Sequence, residues 1–151
     1  MAMTPADDEP KAAHDLAFSW AAGERDSRPT CVATFVPQPH HRGMPGFLHG
    51  GLAATALDET MASVGLVLHQ RRCLTAKLEL RYRRSVAING QPLTVEAWRA
   101  DERGGSTRYH VCAELRTADG TVCVEAKGLF LAITTTVWNG LSSGGQSNEF
   151  Q

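Results

Sequence analysis

Gly46-Phe47-Leu48-His49-Gly50-Gly51-Leu52-Ala53-Ala54-Thr55-Ala56-Leu57-Asp58-Glu59 is the stretch on which the reading of this 151-residue chain turns. Two adjacent glycines open a long apolar segment, and two carboxylates sit in its middle. Glycines at a helix start leave backbone N–H groups bare, so that an oxygen of a bound molecule can approach them closely. A carboxylate inside an apolar helix is costly to bury and is rarely kept there for stability. An anion-stabilising helix end next to an acid or base suits acyl-transfer chemistry.

The segment Gly50 to His69 reads as one long helix. It approaches membrane-spanning length, but Asp58 and Glu59 would each cost roughly 2.5–3.5 kcal/mol at a bilayer centre, so a core helix is expected and no membrane contact. Past Arg71-Arg72 the apolar period changes from helical to alternating. Ala76, Leu78, Leu80 and Tyr82 take every second place, with Lys77, Glu79, Arg81 and Arg83 between them, the pattern of a half-buried strand. Leu93-Val95-Ala97 and Tyr109-Val111-Ala113-Leu115 repeat it, joined at Gly104-Gly105. Asp119-Gly120 turns into a last strand, Thr121 to Thr134. Before the glycines, Thr30 to Val36 reads as a strand closed by Pro37 and Pro39. Lys11 to Ala22 reads as a short helix carrying Ala13, Leu16, Ala17 and Trp20 on one face. The order is short helix, strand, long helix, four antiparallel strands. A curved sheet wrapped around one apolar helix, of α+β class, satisfies it.

The length suits one domain over residues 11–137, between a disordered 1–10 and a flexible tail from 138 to 151. Fifteen basic and sixteen acidic residues are interspersed, net charge −1, so no nucleic-acid surface is expected. Met1 to Pro10 is polar and acidic, without the apolar run of a secretory leader. Cys31, Cys73, Cys112 and Cys123 lack C-x-x-C spacing and read as buried free thiols, which points to a cytoplasmic location. His40-His41 and His49 have no carboxylate or cysteine at ligand spacing, so no metal is expected. Gly140-Leu141-Ser142-Ser143-Gly144 matches G-x-S-x-G but has no helix after it, and is set aside.

Pro45 to Gly51, with Asp58 nine places after His49, resembles the hotdog-fold acyl-CoA thioesterases of the PaaI type. The strand Leu74-Thr75-Ala76-Lys77-Leu78-Glu79-Leu80-Arg81-Tyr82-Arg83-Arg84 is also similar to that family's second strand. The resemblance covers about residues 30–134. It implies a hotdog fold, a homodimer or dimer of dimers with shared active sites, and hydrolysis of an acyl-CoA or acyl-carrier-protein thioester. No cofactor is implied beyond the coenzyme A carried by the substrate. The resemblance makes the Gly50 N–H the group that polarises the thioester carbonyl, Asp58 the base or nucleophile, and Thr75 a hydroxyl that holds the water or the carboxylate. Two positions depart from it: Gly43 stands where some members carry Asn or Gln as a second carbonyl contact, and Ser85 where proline is usual.

The spacing carries a separate argument. Gly50 and Asp58 lie about 12 Å apart along a helix at ~1.5 Å per residue, too far to act on one carbonyl carbon. If both are catalytic, a second helix must run antiparallel, as a two-fold dimer provides, with Gly50 of one subunit facing Asp58 of the other. Glu59 points about 100° away from Asp58 and has the bland role, emerging at the surface or pairing with a base such as Arg71. His49 is expected to orient the loop or the substrate. Gly51, Phe47 and Met61 are candidate substrate contacts, and Trp20 and Met44 further pocket walls. Arg83 and Arg84 are candidates for coenzyme A phosphates. Strand parity sets Thr75 with Lys77 and Glu79, away from the helix, unless a bulge or a partner subunit intervenes. Two alternatives stand beside hydrolysis: hydration of an enoyl thioester, and acyl-thioester binding without turnover, toward which Gly43 leans.

Overall fold

The computed structural model describes residues 14–101 and 107–133. The expected terminal disorder, the Gly104-Gly105 turn and the Gly140–Gly144 motif lie outside them. β1 (Ser19–Arg25) and β2 (Arg28–Phe35) form a hairpin, followed by α1 (Gly50–His69) and by β3 (Cys73–Tyr82), β4 (Leu93–Arg99), β5 (Arg108–Arg116) and β6 (Val122–Ala132). One antiparallel sheet has the order β1-β2-β4-β5-β6-β3, with β1 and β3 at its edges. The helix packs on one face of this sheet, touching β2 to β6.

The helix buries Ala53, Ala56, Leu57, Thr60, Met61 and Val64, three and four residues apart. Opposite them lie Ala33, Val95, Ala97, Val111, Ala113, Leu115, Val124 and Phe130. The alanines, with Gly128 on β6, let the helix seat closely; a Cβ at Gly128 would stand 2.9 Å from Met61 Cε. Each fully buried Leu or Met contributes roughly 1.5–3 kcal/mol. Thr60 satisfies its buried hydroxyl by donating to the Ala56 carbonyl at 2.7 Å.

The expected Lys11–Ala22 helix is not formed over its described part: Ser19 to Ala22 belong to β1. Asp15 has φ +55°, which breaks a helix there, and Asp26 and Ser27, at φ +50° and +62°, make the two-residue turn to β2. Long-range pairing outweighs the helical spacing. Arg25 reaches across to Glu96 (3.4 Å) and Glu114 (2.9 Å) and lies 4.1 Å over the Trp98 ring, while Leu16 enters the core and Phe18 packs edge-on to Phe35. The other expected strands are present. At the β5–β6 turn, the Thr117 hydroxyl and the Thr121 hydroxyl and N–H hold the Asp119 carboxyl down at about 2, and Gly120 takes φ +88°. All four cysteines are free; Cys31 and Cys123 are buried, whereas Cys73 and Cys112 are only half-buried. Burial pushes the Cys31 thiol up to about 11.

Candidate active site

The start of α1 is held by a loop that turns back on itself. A β-bridge joins Arg42 to Leu48 and another joins Phe47 to Ala87. The Leu48 N–H reaches the Val86 carbonyl (2.8 Å), and the His49 N–H reaches the His41 carbonyl (2.9 Å). His49 is the N-cap: its Nδ1 accepts the Gly51 N–H at 2.9 Å. Its carbonyl takes the N–H groups of Leu52 and Ala53, both at 3.0 Å. The Gly50 N–H alone in this first turn makes no hydrogen bond among the described residues, and Gly50 is exposed. The positive end of the helix dipole thus presents one unused donor.

Two turns along, Asp58 is half-buried and its Oδ1 accepts the Thr75 hydroxyl at 2.7 Å. A bulge makes this contact possible. Thr75 pairs with Phe130 and Lys77 with Leu129, leaving Ala76 without a partner. The extra residue reverses strand parity, so Thr75 shares the helix side with Leu78 and Leu80. Ala76, expected on the buried face, is exposed in consequence. Tyr82 keeps the side of Leu78 and Leu80 but lies at the strand end, where it is exposed. Tyr82 instead donates its hydroxyl to the Gly50 carbonyl at 2.6 Å, its ring lying against Gly50. Burial raises that phenol's pKa, keeping the proton on. Strand β3 therefore grips the helix at both Gly50 and Asp58. Pattern reading missed Tyr82, because alternation alone assigned it to the core.

The remaining candidates separate. Gly51 and Phe47 are exposed beside His49, whereas Met61 is fully buried in the core. Arg83 is paired with Glu125 at 2.8 Å, and Arg84 carries no ion pair among the described residues. Glu59 faces His14 (4.0 Å) rather than Arg71.

Folding also brings a carboxylate to the paired histidines: Asp15 Oδ2 lies 3.2 Å from His40 Nε2, with His41 alongside. Sequence spacing hid this because Asp15 is 25 residues away. The three do not suit a cation as they stand. His41 Nδ1 accepts the Gln38 N–H at 2.9 Å, so the neutral ring carries its proton on Nε2, which leaves no lone pair for a metal. Burial, and then the neighbouring His40, depress the His41 pKa.

Comparison with known proteins identifies the family and the fold. A family model described as Thioesterase superfamily matches residues 45–124, just over half of the chain. The acyl-coenzyme A thioesterase THEM4 of Bos taurus is 28% identical over 120 residues, 78% of this chain and 47% of that protein. THEM4 of Rattus norvegicus is 28% identical over 128 residues, 78% of this chain and 50% of that protein. The chain spans about half the length of these relatives. A crystal structure of RHA08564, a thioesterase superfamily protein, matches with a TM-score of 0.63 at 30% identity, over 76% of this chain and 55% of that one. The E. coli PaaI protein from the phenylacetic acid degradation operon shares the fold, with a TM-score of 0.61 at 16% identity over 70% of this chain and 73% of that one. The curved sheet around one helix is the hotdog fold, and the chain belongs to the thioesterase superfamily.

Proposed function

We propose that the protein hydrolyses an acyl-CoA or acyl-carrier-protein thioester to a free acid and a thiol. The observation that carries this reading is the unused Gly50 N–H at the mouth of a helix whose other first-turn donors are all taken. Oxyanion development on a thioester carbonyl calls for such a donor, and one of its kind is worth about 2.7–4 kcal/mol in the transition state. Asp58 takes a proton from water as the water attacks, or attacks the carbonyl itself. The C–S bond then breaks. On the first route the thiolate takes up the proton that Asp58 removed from water. On the second, water hydrolyses the acyl-aspartyl anhydride, freeing the acid and Asp58 and supplying the thiol's proton. Thr75 fixes the carboxylate by its hydrogen bond, leaving Asp58 Oδ2 for the water or the carbonyl carbon.

Gly50 and Asp58 stand on one unbroken helix, so the same ~12 Å separates them and each needs its counterpart from a second copy. β3 is the sheet edge nearest both residues, and its outer side has no strand partner among the described residues. Pairing there with a partner's β3 would give a homodimer holding two shared sites. Arg84 is the freer of the two candidate phosphate contacts, since Arg83 is engaged by Glu125. The test is thiol release from short, long and aryl acyl-CoAs by the parent and by Asp58→Asn. Release that falls at least about a hundredfold in the variant supports the reading. Equal release in both removes Asp58 from the chemistry, and acyl-CoA binding without release in either makes the protein a binder.

A further inference from the structure

Hydrogen bonds around Gly50 form a directed chain. The Tyr82 hydroxyl donates to the Gly50 carbonyl at 2.6 Å, and across the same peptide group the Gly51 N–H donates to His49 Nδ1 at 2.9 Å. An imidazole whose Nδ1 is an acceptor carries its proton on Nε2 when neutral, so the far end of the ring is a donor. The ring is seated between two glycines. A Cβ at Gly51 would lie 3.0 Å from Nδ1 and Cε1, and one at Gly43 would lie 3.4 Å from Cδ2 and 3.2 Å from the His49 Cα. With both edges of the ring against backbone, Nε2 is the outward corner. His49 is exposed, and that nitrogen has no hydrogen-bond partner among the described residues. Two unused donors, the His49 Nε2–H and the Gly50 N–H, therefore come from adjacent residues at the helix mouth.

We propose that the His49 Nε2–H is a second donor to the thioester carbonyl oxygen beside the Gly50 N–H, and that Tyr82 is a positioning residue that polarises it through the Gly50–Gly51 peptide. This rests on the thioesterase reading above. Each bond in such a chain strengthens the next, so a hydroxyl pulling on the carbonyl makes Gly51 a better donor to Nδ1 and the ring a better donor at Nε2. No net proton movement is needed. Tyr82 touches no substrate atom in this scheme and acts only through the histidine.

His49→Asn separates the two jobs of the ring. Asparagine is a good N-cap and still offers an acceptor to the first-turn N–H groups, but it has no donor where Nε2 stood. The expected result is an unchanged unfolding midpoint, KM within about threefold and kcat lower by roughly a hundredfold. Tyr82→Phe keeps the ring against Gly50 and removes the hydroxyl; kcat should fall roughly threefold to tenfold at constant KM. The double variant decides the relay. If Tyr82 acts through His49, adding Tyr82→Phe to His49→Asn costs nothing more. A parent-like kcat in His49→Asn overturns the proposal while leaving Asp58 and the thioesterase reading intact, and a full additional Tyr82→Phe cost in the double variant overturns the relay. No thiol release from the parent overturns both readings together. Should His49→Asn fail to fold, the ring ¹⁵N spectrum of the parent takes its place: an Nε2-protonated His49 supports the proposal, and an Nδ1-protonated one overturns it.

Discussion

The two ends of α1 are built differently, although each is marked by glycine. At the C-terminal end Gln70 adopts φ +53°, and the Gln70 and Arg71 N–H groups close back on the Leu66 and Gly65 carbonyls, both at 3.1 Å. Gly65 is there for packing, since a Cβ would stand 2.0 Å from the Tyr109 hydroxyl oxygen. At the N-terminal end Gly50 has room: a Cβ there meets Tyr82 only at ordinary contact, 3.6 Å. Its N–H makes no hydrogen bond among the described residues, and the turn is exposed. At one end the hydrogen bonds close the helix; at the other a donor stays open, the one that the proposed mechanism assigns to the developing negative charge.

Removing the reserved donor should have the largest effect. Gly50→Pro deletes the N–H at the first helical position, where proline is well tolerated, and His49 already has the extended ψ of 131° that a residue before proline prefers. Thiol release should fall by about 10²–10³-fold with the unfolding midpoint unchanged or raised. The converse change, Gly65→Ala, should cost about 1–3 kcal/mol of stability by denaturant titration through overpacking against Tyr109, with little effect on turnover per folded molecule.

Acid should separate the ends as well. The N-terminal loop hangs on His41, whose carbonyl holds the His49 N–H and whose Nδ1 holds the Gln38 N–H. Its folded pKa is depressed, first by burial and then by His40. The unfolded chain therefore binds the proton more readily, so stability is full above the unfolded value of about 6.5 and falls as the pH drops from there toward the folded pKa. His41→Asn, which retains an acceptor, should flatten that limb in urea titrations across pH. Smallest of all, Gln70→Gly should raise stability by up to about 1 kcal/mol, because glycine enters the left-handed region without penalty.

Much of this contrast was legible in the sequence. The Gly-Gly start, the bounds Gly50 to His69 and the Asp119-Gly120 hairpin follow from local periodicity and turn chemistry. Even the bulge at Ala76 was foreshadowed by the misfit between Thr75's parity and the Asp58 contact that the resemblance implied. What stayed hidden depends on distant partners. β1 exists because Arg25 finds Glu96 and Glu114 across the sheet and because Leu16 and Phe18, just before the strand, enter the core and pack on Phe35 respectively, while the local spacing of Leu16, Ala17 and Trp20 imitated a helix. The Tyr82 hydroxyl and the approach of Asp15 to His40 are contacts between residues 32 and 25 positions apart, which no periodicity encodes.

The central claim is that Gly50 of one protomer and Asp58 of its partner make a single thioesterase site. Gly50→Pro and Asp58→Asn chains, each carrying a different tag, can be co-expressed and the mixed dimer purified through both tags. Each homodimer should be nearly inactive. The mixed dimer should recover about half of the parent's acyl-CoA thiol release, because one of its two sites then combines an intact Gly50 with an intact Asp58. A mixed dimer no more active than either homodimer would contradict the shared site.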